Sequence, residues 1–141
     1  MQNANRELFR CCLRILLARL RRNPCDIRQP GMKVRHISRI DIDKNIPFSL
    51  QYASQFWIGH FQRSYIESGD DAKIENFFQT KYLLWLETLA LIGRLSHGVT
   101  MMMDLERFFK VEYFQSFDDE QYADFQRGTK KGIRHRWPSR K

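Results

Sequence analysis

The chain has 141 residues, 43% hydrophobic and 28% charged, with 11 Phe and 3 Trp. That is room for one domain with a packed core and too little for two well-formed ones. No apolar run is long enough to cross a membrane as a helix. Three cysteines, two of them adjacent (Cys11 and Cys12), cannot close a disulfide framework, and reduced thiols in an intracellular setting fit better. The net charge of +8 is unevenly placed: residues 1–44 carry 11 Lys/Arg against 4 acids, 45–126 carry 6 against 12, and 127–141 carry 7 against none. A basic head, an acidic body and a basic tail do not make one uniform nucleic-acid-binding face.

The first element, 1–22, reads as a basic amphipathic helix from about residue 5. Leu8, Cys12, Leu13, Leu16 and Leu20 recur at three- and four-residue steps, with Arg6, Arg10, Arg14 and Arg21 assigned to the opposite face. Asn5 suits the N-cap, and Asn23-Pro24 ends the helix. Residues 23–46 form a connector punctuated by Pro24 and a Pro30-Gly31 turn signal, with one helical turn near Ile40–Lys44. A structureless stretch of that length points to a surface, absent from this chain, that it would lie against.

The helical core is placed at 47–112. Its first helix, about 47–65, opens on Pro47 and carries the seam Leu50, Ala53, Trp57 and Phe61. Ser68-Gly69-Asp70-Asp71 breaks the chain, and Asp70 or Asp71 is expected to cap the next helix, about 71–95. That helix keeps Ile74, Phe78, Tyr82, Trp85, Leu89 and Ile92 on one face. It is apolar nearly all round from Tyr82 to Ile92, which marks it as central, and Gly93 or the Ser96–Gly98 segment ends it. A further helix, about 98–112, would turn Val99, Met102, Met103, Leu105, Phe108 and Phe109 inward. An acidic-aromatic segment, 113–126, admits one more helix. The basic stretch 127–141 has too little apolar content to fold alone and reads as a disordered tail. The expected fold is therefore all-α: an irregular bundle of four to five helices with a long connector.

The residues that carry chemistry are sparse. Gly128-Thr129-Lys130-Lys131-Gly132 has neither the order nor the preceding strand of a phosphate-binding loop. His36, His60, His97 and His135 stand on separate segments, none at ligand spacing to a Cys or another His. His60 reads as a hydrogen-bonded helix histidine, and Cys11 and Cys12 as core atoms. Glu87 is the single charge in the run 82–92. It offers either an acid–base group of raised pKa or, the stronger reading, a solvent-facing carboxylate or one paired with Arg94. No catalytic residue, cofactor site or metal site is assigned. The Arg-rich, acid-poor first helix has features of a mitochondrial targeting segment, set against its single Glu7 and low Ser content.

Three strings, taken in order, resemble one family. They are Leu20-Arg21-Arg22-Asn23-Pro24-Cys25-Asp26-Ile27-Arg28-Gln29-Pro30-Gly31, then Ile46-Pro47-Phe48-Ser49-Leu50-Gln51-Tyr52-Ala53-Ser54-Gln55-Phe56-Trp57-Ile58-Gly59-His60-Phe61, and Phe77-Phe78-Gln79-Thr80-Lys81-Tyr82-Leu83-Leu84-Trp85-Leu86-Glu87-Thr88-Leu89-Ala90-Leu91-Ile92-Gly93-Arg94-Leu95-Ser96. Across about residues 8–110 the chain resembles the helical region between the NACHT NTPase module and the WD repeats of fungal NOD-like receptors of the heterokaryon-incompatibility type. The motif residues that carry the resemblance are Tyr52, Ala53, Trp57, Tyr82, Trp85, Leu86, Glu87 and Gly93. Ser54 stands where the family often has Cys, and Gly59 where an acid is common.

The resemblance implies a non-catalytic fragment of a cytoplasmic signalling protein, in which this region couples nucleotide state to the sensor repeats. It also implies protein partners. The connector and first helix would pack on the NTPase module, or the chain would self-associate through Leu8, Leu13, Leu16 and Leu20. No position matches the family's Walker motifs. The competing class is a small basic adaptor that binds nucleic acid or an organelle membrane through its two ends, with nucleic acid the weaker option.

Overall fold

The computed structural model describes residues 2–29 and 31–127; the side chains of residue 34 and of residues 112–127 are outside that description, as are residues 1, 30 and 128–141. The disordered tail expected at 127–141 thus lies, apart from Arg127, outside the described residues. Among the described residues five α-helices follow in order: α1 (Gln2–Arg19), α2 (Arg39–Asn45), α3 (Phe48–Arg63), α4 (Asp70–Leu91) and α5 (Leu95–Arg127), with one 3-10 turn at Val34–His36 before α2. No strand occurs among the described residues, so the all-α expectation holds. No helix there is long and apolar enough to cross a membrane.

Two compact units divide the chain, residues 1–103 and 104–141. In the first, α1 and α3 lie antiparallel. Phe9 near the start of α1 meets Phe61 near the end of α3, their ring centroids 5.0 Å apart, and Phe9 also stacks on Trp57. Helix α4 closes the core from the other side: Phe77 and Trp85 both approach Trp57 edge-on, at 4.9 and 6.0 Å. Trp57 and Trp85 are fully buried, with Leu16, Ala53, Phe61, Ile74 and Leu89 around them. The Trp85 indole N–H donates to the Ser54 carbonyl at 2.9 Å, which pins α4 to α3. Helix α3 is therefore the shared member of the bundle. The all-apolar stretch of α4 had suggested that α4 would be central, yet its Leu83 is 74% exposed.

The ends of the helices follow local chemistry. Ser38 caps α2 by accepting the Asp41 amide at 3.1 Å. The Pro47 carbonyl accepts the Gln51 amide and opens α3. At the end of α4, Gly93 adopts φ 74°, its amide donates to Ala90 O, and the Arg94 amide donates to Leu89 O at 2.7 Å. This is the left-handed glycine termination that L side chains resist. It settles the end of α4 on Gly93.

The connector is fastened to this chain's own α4. Asn23 turns left-handed (φ 48°), and its amide donates to both carboxylate oxygens of Glu87 at 3.2 Å. Glu87 thus caps a loop, and the expected Arg94 pairing gives way to that bond. Farther on, Ile42 and Ile46 are buried. The helix expected over 98–112 starts at Leu95 and turns Gly98 and Met101 inward, leaving Val99 and Met103 about half exposed. Gly98 suits that phase, because a Cβ there would stand 2.3 Å from Leu89 Cδ1 and the leucine side chain would have to shift. In the second unit the backbone of α5 stays helical through Arg127 and absorbs the separate helix entertained for 113–126. Lys110 pairs there with Glu106 at 3.3 Å.

Candidate functional site

The polar groups buried in the first unit gather where α1 meets the corner between α3 and α4. Arg6, assigned by periodicity to the wet face of α1, is 1% exposed. Its Nη2 donates to Asp70 Oδ1 at 2.6 Å and to Glu67 Oε2 at 2.9 Å, and its Nη1 donates to Asp70 Oδ2. The guanidinium also lies over the rings of Phe9 and Tyr65, 5.4 and 5.9 Å from their centroids. Arg10, one turn on, reaches Glu67 at 2.8 Å. The expected capping by Asp70 is replaced: Gly69 occupies the N-cap of α4, while Asp70 accepts the Glu67 amide and Arg6. A planar fork is matched to a carboxylate here, an arrangement lysine cannot supply.

Electrostatics follow from that geometry. The hydrogen bond from Arg6 to Asp70 raises the arginine's pKa against the opposing effect of burial. Burial alone would raise the Asp70 carboxyl, but Arg6 and the Glu67 amide outweigh it and hold Asp70 below the usual carboxylate range. Glu67 is lowered as well: desolvation opposes the shift, and Arg10 and Arg6 prevail. Both acids stay ionised against two arginines. Arg6 Nε is buried without a hydrogen-bond partner, as are Ser54 Oγ and Trp57 Nε1.

A second polar bridge joins α1 to α3. His60 sits between Asn5 Oδ1, 3.0 Å from its Nδ1, and the Tyr52 hydroxyl, 2.8 Å from its Nε2. Burial, with a contribution from Arg63, lowers the His60 pKa and favours the neutral ring. The hydrogen-bonded helix histidine read from sequence is what the structure holds. Asn5 is its partner and not a helix cap, since α1 begins at Gln2. Cys12 is buried, and burial followed by the charge of neighbouring Cys11 pushes its thiol up to about 11, so it is no nucleophile at neutral pH. Cys11, expected in the core, is instead half-buried, with Arg14 Nη2 3.3 Å from its sulfur.

The motif residues divide between core and surface. Ala53, Trp57 and Trp85 are buried; Tyr82, Leu86 and Glu87 are half-buried; Tyr52 and Gly93 are exposed. The structure joins Tyr52 to His60 and Tyr82 to Trp85, and sets Glu87 and Gly93 to terminate segments. The apolar stripe of α1 is covered by its own chain: Leu13, Leu16 and Leu20 are buried, and Leu8 alone of the four is exposed. Of the four leucines expected to carry self-association, Leu8 is thus the one left at the surface. Sequence periodicity missed Phe9 and Arg6 on this face; the signal available for Arg6 was an arginine one turn ahead of an apolar run, with acids clustered at Glu67–Asp71.

No group of three His, Cys, Asp or Glu residues able to hold a metal stands together among the described residues. Fold and site define an all-α packing module whose buried charges join one helix to the next. Of known proteins, the chain is similar to the vegetative incompatibility protein HET-E-1 of Podospora anserina, 30% identical over an alignment of 108 residues; the match covers 70% of this chain and 8% of that protein. No protein-family description matches the chain, and no solved structure matches it.

Proposed function

We propose that this chain is a non-catalytic helical module of a fungal NACHT-type signalling protein, one that passes conformational change between an NTPase module and sensor repeats. The observation that carries the reading is the 30% identity to the incompatibility protein over most of this chain. It agrees with the resemblance of the 20–31, 46–61 and 77–96 strings. Packed side chains and rigid helices are among the elements that carry coupling between sites. The interlocked Trp57, Phe77 and Trp85 and the Arg6 clamp supply that rigidity by tying three helices together.

The partners in this reading are protein surfaces, and the compartment is the cytoplasm. Because α1 and the connector are occupied by the chain's own α3 and α4, contact with an NTPase module falls on outward faces and not on the leucine stripe. The test is a graft. The matching segment of HET-E-1 is replaced by the corresponding segment of this chain, and the incompatibility reaction is scored at matched expression. A retained reaction, lost again with Arg6→Ala, supports the proposal. A stable chimaera with no reaction sinks it.

A further inference from the structure

Two stripes outside the clamp reach the surface, with Ile15 half-buried in the second, and they adjoin. On α3, Phe48, Tyr52 and Phe56 follow at four-residue steps and are 72%, 44% and 43% exposed. The Tyr52 and Phe56 rings lie 4.9 Å apart. Gly59 continues the row, and a Cβ there would meet nothing within 4 Å, so a shallow open place follows the last ring. Arg63 ends the row in the last turn of α3. On α1, Leu8, Ile15 and Arg19 share a second stripe by their seven- and four-residue spacing. The Asn5–His60–Tyr52 bridge places the Asn5 edge of α1, one turn before Leu8, beside the aromatic row.

The antiparallel pairing of α1 and α3 sets Arg19 and Arg63 toward opposite ends of this face. Both are exposed, neither stripe contains a carboxylate, and the middle is aromatic and aliphatic. From Phe48 to Arg63 the row runs about 22 Å, four helical turns. A ridge of exposed side chains at four-residue spacing is a surface that a partner helix can pack against. The three rings expose on the order of 300 Å², short of the roughly 800 Å² per partner that a stable dimer needs. That area argues against a second copy and for a slender occupant.

We propose that the outer face of α1 and α3 binds an amphipathic helix of a partner protein that carries acidic residues at both ends and an apolar stripe between them. Aromatic side chains supply contact area at low entropic cost, and the two arginines fix register and orientation. Neither the face nor its occupant depends on the likeness to HET-E-1.

The probe is a pair of labelled synthetic helical peptides of roughly sixteen residues, about the length of the row, each with leucines at three- and four-residue steps. One has glutamates in its first and last turns and the other has lysines. Fluorescence anisotropy is read against the full chain. The glutamate peptide should bind saturably and about tenfold or more tighter than its twin. Phe48→Ser with Phe56→Ser should abolish that binding while the thermal melt by circular dichroism stays in place. Arg19→Glu with Arg63→Glu should reverse the preference. A control of equal net charge, Lys130→Glu with Arg140→Glu, should leave it intact. Equal binding of the two peptides, no binding of either, or loss in the Lys130/Arg140 control overturns the proposal. A dimer in sedimentation that Phe48→Ser dissolves would assign the face to a second copy. Capture by anionic vesicles, lost on the same change, would assign it to a membrane; either also overturns the proposal.

Discussion

Removing one member of the Arg6–Asp70 pair should be more damaging than removing both. Arg6 is 1% exposed, and Asp70 takes the guanidinium with both of its oxygens. In Arg6→Met the Asp70 carboxylate keeps only the Glu67 amide as a hydrogen-bond donor; in Asp70→Leu the guanidinium keeps Glu67 and the Tyr65 carbonyl. Arg6→Met strands a buried carboxylate, at a cost of about 3–5 kcal/mol, whereas Asp70→Leu leaves the guanidinium its Glu67 pair and should cost less, about 1–3 kcal/mol. A small domain holds roughly 5–15 kcal/mol in all, and for about 100 residues 3 kcal/mol lowers Tm by roughly 12–24 °C. The double variant Arg6→Met/Asp70→Leu removes both charges and fills the site with apolar atoms, so it should recover most of that loss. Guanidinium titrations of the full chain, followed by helical circular dichroism for all four proteins, give the coupling energy directly. Single variants that lose less than about 1 kcal/mol, or a double variant whose loss is the sum of the two singles, would refute the reasoning.

Three further outcomes are expected. Trp85→Ala should cost about 3–5 kcal/mol, since it empties a fully buried site and frees the Ser54 carbonyl, and a melting shift of a degree or two would contradict that burial. Gly93→Ala should cost about 1–2 kcal/mol from the left-handed backbone alone, read as a lower unfolding midpoint with unchanged helical content. His60, whose folded pKa lies below its unfolded value near 6.5, takes up protons on unfolding. Its stabilising contribution is therefore complete above about pH 6.5 and is lost as pH falls through the folded pKa. Melting midpoints between pH 5 and 8 should drop on the acid side, and His60→Gln should flatten that slope; an unchanged slope in the variant would rule His60 out as its source.

Much of this protein is legible in local chemistry. Alternation at three- and four-residue steps places α1, α3 and α4 to within a few residues, because each must bury one stripe and the stripe is visible in the letters. Trp57 and Trp85 are marked as core by their place in those stripes. Gly93 and the Ser96–Gly98 segment are both marked as possible helix ends, and the positive φ of Gly93 decides between them. Local pattern fails where a long side chain chooses its own surroundings. Arg6 counts as polar in any periodicity, yet a partner 64 positions away makes its burial favourable. Glu87 has a near neighbour in Arg94, but its partner is the amide of Asn23, brought to it only when the connector folds across α4. The exposed ring of Phe48 and the buried ring of Phe9 are the same residue type at similar spacings. Which of them faces water was decided by the antiparallel docking of α1 on α3, since that contact assigns each helix its inner side. Composition and spacing determine that this chain makes helices and where most of them stop. The pairing of their faces determines which charges are enclosed, which leucines are covered and which aromatics are left outside.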